Sequence, residues 1–360
     1  MVILLGLAAR LAAATLGHNY DMDSWRIVAE VMRHGGNVYA ETDRYNYGPV
    51  WFLILRGLGL LSGNSPAGLH YLVVGFLSLA DAGICWLLCR RAGRLAGILF
   101  FLNPISILVT GYHCQFDNLA VLIALGAVLR FGEDFDQPLN RPKMLGLLLL
   151  GFSLMTKHIF FMFPLWLAVK QRGLGPKAVI LLVPAAVFLL GFAPYWAGGQ
   201  AGILDHVFRY QSAQNGYFFK LIVPQFIQFA GDRNLMWYVM LMVFAFVCRR
   251  RNGFASLLIY TGALVAFSPS ITNHYMAIPV ALAAVFPSGP FLLYTVACVV
   301  HLCMDSRGLH LGSGPAWGCE DLGVLSLNCA LAWLLWRPQW VQLGRSALRE
   351  VAIQLGREKE

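Results

Sequence analysis

The sequence predicts an all-α, polytopic membrane protein, and three observations indicate that fold class. Of its 360 residues, 58% are hydrophobic and only 12% are charged, and the mean hydropathy is +0.63. The apolar residues form long runs of Leu, Ala, Val and Phe without alternating polarity, which is typical of membrane helices. Arginines and lysines cluster between these runs, as the positive-inside rule expects of cytoplasmic loops. The bilayer is therefore the expected solvent for most of this chain.

The apolar runs, taken in order with the basic clusters, predict about twelve crossings in a helical bundle. The first run has no basic segment before it and no clear cleavage site after it, so a retained helix is expected rather than a signal peptide. The predicted crossings are residues 2–17, 68–89, 95–111, 118–131, 144–169 as two short helices, 178–197, 235–248, 253–268, 275–288, 291–304 and 323–336.

Two segments do not fit a simple crossing. Residues 48–63 are shorter than the roughly 20 residues that a span needs and contain Arg56, so a helix lying in the membrane interface is expected. Residues 144–169 as one crossing would move the basic cluster that follows them to the outer side. A break at residues 156–158 keeps that cluster inside. The two short helices that result need shielding by protein rather than lipid.

The domain organisation predicted is one membrane domain, residues 1–336, followed by a cytoplasmic tail, residues 337–360. The tail alternates apolar and basic residues, which favours an amphipathic helix on the inner surface. Two long polar segments, residues 18–48 and 198–234, are expected on the outer side, and both termini on the inner side.

Charge and cysteine content exclude other classes of protein. The formal net charge is +9, but the basic residues lie in the loops between apolar runs, so no nucleic-acid partner is expected. The eight cysteines show no CxxC motif and no Cys/His metal spacing. Neither a metal nor a cofactor is predicted.

The predicted topology gathers polar and ionisable residues at the outer membrane face, although these residues do not define most of the crossings. Ionisable residues at a membrane boundary are costly and indicate a functional site. These residues include Asp21, Asp23, His113, Gln115, Asp117, Lys157, His158, Arg209 and His274.

One chemistry uses both the acids and the cations of this set. Transfer of a sugar from a lipid-linked phosphosugar needs a carboxylate to deprotonate the acceptor hydroxyl, a role for Asp21 or Asp23. It also needs cations or hydrogen-bond donors for the departing phosphate. Those donors would be Lys157, His158, Arg209 and His274. A lipid-linked donor also explains a site at the membrane surface in a chain without a nucleotide-binding domain.

Structural roles compete with this interpretation. Asp21 or Asp23 can cap a helix beginning at Ser24, although a cap uses only one of the two acids. Asp117 or Asn118 can similarly cap the crossing that follows them. Asp81, inside the apolar run LSLADAGICW, is expected to bind a buried basic or hydroxyl partner and join helices rather than to act in chemistry.

The first outer segment resembles that of the GT-C glycosyltransferases, especially the GPI-mannosyltransferase type. The shared features are an acidic pair, a G-x-x-x-Y element and a Tyr-x-Tyr-x-Pro sequence that opens an interfacial helix. Here they are Asp21 and Asp23, Gly35 to Tyr39, and Tyr45, Tyr47 and Pro49. The second proline of the family's common Tyr-Pro-Pro is replaced here, since Gly48 precedes Pro49, and this difference leaves the sugar and acceptor open.

Later motifs resemble the dolichyl-phosphate-glucose-dependent glucosyltransferases. They are HCQFDN at residues 113–118, the Lys-His pair at 157–158 followed by Pro164, and NHY at 273–275 in place of that family's His-Glu-Lys. SLADAGICWLLCRR also resembles the second crossing of the superfamily. The matches keep the family's order from about residue 21 to residue 275.

The resemblance implies an inverting hexosyltransferase with a polyprenyl-phosphate sugar donor. A first-loop aspartate would be the base, Asp21 first and Asp23 second, and Tyr45 and Tyr47 would lie at the substrate site. Mannose is favoured over glucose as the sugar. The acceptor would be a glycan, a glycolipid or a protein on the outer or lumenal face. The short loops favour a bacterial plasma membrane over the endoplasmic reticulum.

Two other functions compete with the transferase. A lipid-linked-sugar flippase or transporter would typically show matching halves and ionisable or helix-breaking residues near the midplane. No matching halves are visible here, and the charged residues cluster at one face. A non-catalytic subunit of a transferase complex would not need Asp21 together with a full set of phosphate ligands. The D-x-D spacing also resembles a manganese motif, but a monophosphate donor needs less charge compensation than a diphosphate, so no essential metal is expected.

Overall fold

A computed structural model describes residues 1–63, 65–133, 135, 138–210, 233–270, 272–304, 309 and 318–336. Within these residues the regular elements are helices and no strand is present. The first ten are α1 Val2–Thr15, α2 Tyr20–Arg33, α3 Val38–Glu41, α4 Pro49–Leu61, α5 Pro66–Ala92, α6 Arg94–Phe101, α7 Pro104–Gly111, α8 Asp117–Phe131, α9 Arg141–Thr156 and α10 Phe163–Ala168. The others are α11 Leu174–Leu190, α12 Ala193–Gly202, α13 Arg233–Val247, α14 Gly253–Ala266, α15 Val280–Val285, α16 Gly289–Met304 and α17 Cys319–Trp336.

Three short non-α helical segments complete the described elements: 3-10 turns at His158–Phe160 and Asn273–Ala277 and a π-helical segment at Ile203–Phe208. The predicted tail, residues 337–360, and most of the second polar segment lie outside the described residues.

Two helices, α5 and α17, are each long and apolar enough to cross a membrane, among the residues that the structure describes. Three bent pairs satisfy the same criterion when each pair is one span, which raises the count to five. The bends are 88° between α1 and α2, 47° between α6 and α7, and 75° between α11 and residues 193–208. The predicted count of about twelve crossings is not confirmed.

Short helices replace continuous crossings because proline and asparagine divide the apolar runs. Residues 95–111 are split into α6 and α7 at Asn103, whose side chain caps the Ile105 amide, followed by Pro104 at the first helical position. Proline fits the first helical position because an N–H group there would have no partner within the helix, so its absence costs no hydrogen bond. The break predicted at residues 156–158 is confirmed: α9 ends at Thr156, and Lys157 is extended, with φ −149° and ψ 124°.

Helix α2 begins earlier than the sequence indicated. Its N-cap is Asn19, whose side-chain oxygen accepts a hydrogen bond from the Asp21 amide at 3.0 Å. The helix therefore does not begin at Ser24 with an aspartate cap, and both acids lie in its first turn, where the helix dipole favours negative charge. The predicted helix over 48–63 is present as α4, which begins at Pro49.

A buried ion pair joins the helices around α1. Asp81 and Arg10 have no exposed side-chain surface, and Arg10 Nε donates to Asp81 Oδ2 at 2.9 Å. Thr110 donates to the same oxygen at 2.7 Å, and Asn118 donates to Oδ1 at 2.7 Å. The prediction that Asp81 binds buried basic and hydroxyl partners is confirmed. The network links α1, α5, α7 and α8, because one of these residues lies on each.

The first polar segment packs into its own aromatic core against α5 and α8. Trp25, Tyr45 and Trp51 are fully or almost fully buried in it. Phe116 stacks on Trp51, with ring centroids 4.5 Å apart and planes inclined by 12°. Phe116 immediately precedes Asp117, so this core fixes the first segment against the start of α8.

Candidate active site between the first segment and the Lys157 break

The candidate site centres on Lys157, a buried cation at the break after α9. Only 2% of its side chain is exposed. Its Nζ donates to Asp117 Oδ2 at 2.8 Å and to Gln115 Oε1 at 3.3 Å. The ammonium also lies 5.0 Å from the ring centroids of Tyr47 and Phe116. A buried ammonium needs this compensation because transfer out of water is costly.

The salt bridge decides the role of Asp117 in α8. Phe116 occupies the N-cap position, and Asp117 is the first helical residue, fully buried. The expectation that Asp117 caps the helix is wrong, because its carboxylate is engaged by Lys157 instead of by the backbone of the first turn.

Several buried polar atoms around this pair have no partner among the described residues. They are Gln115 Nε2, Asp117 Oδ1 and His158 Nδ1. Buried polar atoms in folded proteins are nearly always hydrogen-bonded, to protein, water or ligand. Two of these atoms belong to residues two positions apart and the third lies at the break, so together they indicate a site that receives polar groups from outside the chain.

The backbone of residues 112–116 is shaped to turn these side chains inward. Cys114 has φ +54°, in the left-handed region, and no other non-glycine residue described here has positive φ. A side chain in this region costs about 1–2 kcal/mol. The Trp25 indole donates to the Cys114 carbonyl at 3.0 Å and fixes the turn. As a result His113 and Gln115, on either side of it, are both buried.

Asp21 approaches the same turn through Asn19. The Asn19 Nδ2 donates to Asp21 Oδ2 at 2.8 Å and lies 2.8 Å from His113 Nδ1. Asp21 is half-buried, and its negative charge acts on Tyr47, Asp117 and Lys157. Hydrogen bonds through Asn19 therefore join Asp21 to His113, and His113 lies two residues before Gln115, which accepts from Lys157.

Electrostatics in this neighbourhood follow from burial. Burial lowers the pKa of the Lys157 ammonium, and attraction to Asp117 and Asp21 opposes that fall. Burial raises the pKa of the Tyr47 phenol well above its ordinary value, and the Asp21 carboxylate adds to the rise. Tyr47 therefore stays protonated and remains a hydrogen-bond donor.

A cavity of about 450 Å³ adjoins these residues, within the size range of small-molecule sites. Its polar lining includes Lys157, His158 and His274, and Tyr47 and Tyr275 border it as well. Aromatic side chains such as those of Trp237 and Tyr238 on α13 form much of the rest. Asp21 does not line this cavity, whereas Tyr47, on which the Asp21 charge acts, does.

Three of the predicted site residues lie elsewhere. Asp23 is exposed and forms a surface ion pair with Arg26 at 3.0 Å, and Arg209 is exposed and pairs with Asp205 at 3.1 Å. Tyr45 is fully buried in the aromatic core, and its hydroxyl donates to the Gly48 carbonyl. The structure thus brings together Asp21, Tyr47, His113, Gln115, Asp117, Lys157, His158 and His274, but not these three.

Sequence reasoning missed Asn19 and the aromatic cavity wall. An asparagine directly before a helix with acids in its first turn is a recognisable N-cap, so Asn19 carried a usable signal. Trp237 and Tyr238 had no sequence signal that marked them as cavity residues. Aromatic residues at the end of an apolar run are more often membrane-interface anchors than ligand contacts.

Gly48 is the residue that lets α4 approach the Lys157 break. A Cβ at this position would overlap the backbone carbonyl of Met155, near the end of α9. We expect Gly48→Ala to lower the free energy of unfolding by about 1–3 kcal/mol, as overpacking does. Thermal or denaturant unfolding of the purified protein measures the change.

The matched control for Gly48→Ala is Gly57→Ala on the same helix. A Cβ at Gly57 meets no atom within 4 Å, so this change should be neutral or stabilise the helix by up to about 1 kcal/mol. Equal stability of the two variants would contradict close packing of Gly48 on Met155.

No protein-family model and no curated protein matches this sequence. Solved structures do match. ArnT from Cupriavidus metallidurans, bound to undecaprenyl phosphate, aligns with all of this chain and 80% of its own, with a TM-score of 0.52 and 13% identity. The apo state of the same protein aligns with 95% of this chain and 76% of its own, with a TM-score of 0.51. ArnT is a GT-C glycosyltransferase. This chain has a GT-C fold.

The GT-C fold confirms the predicted class, a helical, multi-pass integral membrane protein. Because the identity is 13%, the comparison extends to the fold alone. The mannosyltransferase-type resemblance of the first segment therefore stays a prediction.

The two acids of the D-x-D sequence do not converge. Asp21 is bound by Asn19, whereas Asp23 pairs with Arg26 in solvent. Among the residues that the structure describes, no group of three or more His, Cys, Asp or Glu side chains is placed to hold a metal ion.

Proposed function

We propose that this protein is an integral membrane glycosyltransferase that transfers a hexose from a polyprenyl-phosphate donor to an acceptor hydroxyl. The observation that carries the proposal is the set of unpartnered buried polar atoms around Lys157 and Asp117, beside a cavity and next to Asp21, in a chain with a GT-C fold. The ArnT structure that matches has undecaprenyl phosphate bound, which supports a lipid-linked donor.

Asp21 is the proposed general base. It removes the proton of the acceptor hydroxyl as the oxygen attacks the anomeric carbon, and the bond from that carbon to the phosphate oxygen breaks. The products are the glycosylated acceptor, with inverted configuration, and polyprenyl phosphate. Asn19 supports this role because its Nδ2 donates to one carboxylate oxygen and holds the group in place, which leaves the other oxygen for the proton.

Lys157 is proposed to interact with the donor phosphate. An ammonium has three N–H donors, and Gln115 and Asp117 accept from two of them. The third remains for a phosphate oxygen at the cavity wall, where His158 and His274 supply further ring nitrogens. These donors stabilise the second negative charge that the phosphate gains as the sugar leaves.

Some of the predicted ligands have narrower roles in this proposal. Gln115 and Asp117, with their unpartnered Nε2 and Oδ1 atoms, are proposed to bind sugar hydroxyls, and Tyr47 lies at the wall of the cavity. His113 positions Asn19. We propose no direct role for Arg209, Asp23 and Tyr45, because none of the three is among the residues that line the cavity and each has a partner elsewhere.

The finer assignments rest on the sequence resemblance. Mannose is proposed as the sugar in preference to glucose, the outer face of a bacterial plasma membrane as the location, and a glycan, glycolipid or protein as the acceptor. No essential metal is proposed, since a monophosphate donor needs little charge compensation.

A reconstituted transfer assay tests the proposal. The full chain in proteoliposomes receives labelled polyprenyl-phosphate mannose or glucose together with a membrane extract that contains the acceptors. We expect label in a glycosidic bond to a new product, more with the mannose donor, and the same rate with EDTA. Movement of the lipid-linked sugar across the bilayer without a new glycosidic bond would establish the flippase alternative instead.

A cellular measurement identifies the acceptor. Mass analysis of glycolipids and polymers from cells lacking this protein should show a species short of one hexose, and the wild-type gene should restore it. An unchanged glycan profile in those cells would contradict transfer by this protein.

A further inference from the structure

A second cavity lies between α2 and α4, separate from the candidate active site. It has a volume of about 110 Å³ and is bounded by α2, α4 and the start of α5. Three arginines border it, Arg26 and Arg33 of α2 and Arg56 of α4. We call this cavity the arginine groove. None of its lining residues borders the larger cavity next to Lys157.

The positive charge of the arginine groove exceeds the charge of its acids. Arg26 pairs with Asp23, and Arg33 pairs with Glu30. Arg56 is exposed and forms no ion pair with any residue that the structure describes. The groove therefore has three guanidinium groups against two carboxylates, and both ion pairs are partly exposed, which makes them weak.

Arg26 has a donor that the protein does not use. Its Nε is buried and has no hydrogen-bond partner among the described residues, although its Nη1 binds Asp23. A guanidinium with a free edge is suited to bidentate binding of a phosphate. Ser65 at the rim of the groove accepts from the Gly68 amide and keeps its hydroxyl proton for a ligand, whereas the Ser62 hydroxyl donates to the Gly59 carbonyl.

Apolar surface adjoins the groove on one side. Leu60 borders the groove and is 65% exposed, and the next residue, Leu61, is 77% exposed. Both lie at the end of α4, next to the turn that leads to the membrane helix α5. Helix α2 is bent 88° from α1, so it lies along the membrane surface if α1 crosses it. Phosphate-binding arginines beside exposed leucines match the two parts of a lipid, its headgroup and its acyl chains.

We propose that the arginine groove binds the phosphate headgroup of an anionic bilayer lipid, whose acyl chains lie against Leu60 and Leu61. The excess positive charge favours an anionic headgroup over a zwitterionic one. Binding there would tie α2 and α4 to the membrane surface, and α2 begins with Asn19 and Asp21. The proposal does not depend on the chemistry of the active site, because the two cavities share no residue.

Native mass spectrometry of the full chain, released from nanodiscs, tests the proposal. The nanodiscs contain phosphatidylglycerol and phosphatidylcholine in equal amounts. We expect the wild-type protein to retain phosphatidylglycerol in preference. Arg56→Gln should reduce that retention about fivefold, and the double variant Arg33→Gln/Arg56→Gln at least about tenfold, since each arginine near an anionic surface contributes a factor of this size.

The matched control removes two arginines at another site. Arg91→Gln/Arg94→Gln changes the net charge equally, at the basic cluster that ends α5 and begins α6, and should reduce phosphatidylglycerol retention less than Arg33→Gln/Arg56→Gln does, because no bounded groove with an unpartnered guanidinium nitrogen is found at that cluster among the described residues. Unfolding of every variant is measured in parallel. Arg56 is exposed, so Arg56→Gln should stay folded and keep the test decisive.

Three outcomes would overturn the proposal. They are equal retention of the two lipids by the wild type, equal loss in the control variant, and full displacement of phosphatidylglycerol by millimolar inorganic phosphate. The last would identify free phosphate rather than a lipid as the ligand. Loss of glycosyl transfer in the separate assay has no bearing on lipid retention, so failure of the proposed function is distinguishable from failure here.

Discussion

Asp21→Asn is expected to reduce glycosyl transfer by about 10²–10⁴-fold, the usual contribution of a general base. The amide has nearly the shape of the carboxylate but cannot take the proton of the acceptor hydroxyl. The measurement is the rate of labelled product formation by the reconstituted protein with saturating lipid-linked donor. Donor binding should change little, because Lys157 and His158 rather than Asp21 border the main cavity.

Asp23→Asn is the matched control, since it makes the same substitution two residues away. Asp23 is exposed and pairs only with Arg26, so its loss should leave the rate within about twofold of the wild type. Full activity in Asp21→Asn together with inactivity in Asp23→Asn would reverse the assignment of the base. Full activity in both variants would show that neither acid of the first polar segment acts in the reaction.

Folding has to be separated from chemistry in this comparison. Asp21 accepts from Asn19, and an amide at position 21 can place either its oxygen or its nitrogen toward that side chain. Asp21→Asn should therefore unfold at nearly the same temperature as the wild type. An inactive variant that is also unfolded would not support the assignment, which is why the two measurements are made on the same preparation.

The sequence was sufficient for the helical class and for one unusual detail of the fold, the break before His158. The break was predictable because a single crossing would have put a basic cluster on the wrong side. The division of residues 95–111 was not predicted, although Asn103 followed by Pro104 is a local helix-start signal. A continuous apolar run concealed that signal, because hydropathy does not distinguish one span from two short helices.

The candidate site was predictable by residue type more than by geometry. Asp21, His113, Gln115, Asp117 and Lys157 meet because the chain reverses at Cys114 and at the Lys157 break, and neither approach is visible in hydropathy. The two predicted residues that proved exposed, Asp23 and Arg209, each have an opposite charge three or four positions away on the same helical segment. That spacing is typical of ion pairs on a helix surface, so it indicated that these two residues would be exposed.

The buried pair of Asp81 and Arg10 gives the largest expected effect on stability. Asp81→Asn should lower the free energy of unfolding by about 3–5 kcal/mol, because it leaves the Arg10 charge buried and uncompensated. Asp81 Oδ2 also accepts from Ser106 at 3.3 Å and Thr110 at 2.7 Å, and an amide nitrogen there would oppose those donors. Denaturant titration of the purified protein in mixed micelles measures the loss.

The same substitution at Asp23 again supplies the control, this time for stability. Asp23 and Arg26 form an ion pair at 3.0 Å, close to the 2.9 Å of Asp81 and Arg10, but their side chains are 51% and 31% exposed rather than fully buried. Water solvates both partners at the surface, so Asp23→Asn should cost less than about 1 kcal/mol. The expected difference between the two variants therefore comes from burial and not from contact distance. If Asp81→Asn cost no more than Asp23→Asn, water or a proton would have to reach Arg10 and Asp81 in the folded protein, and the pair could not be what joins α1 and α5.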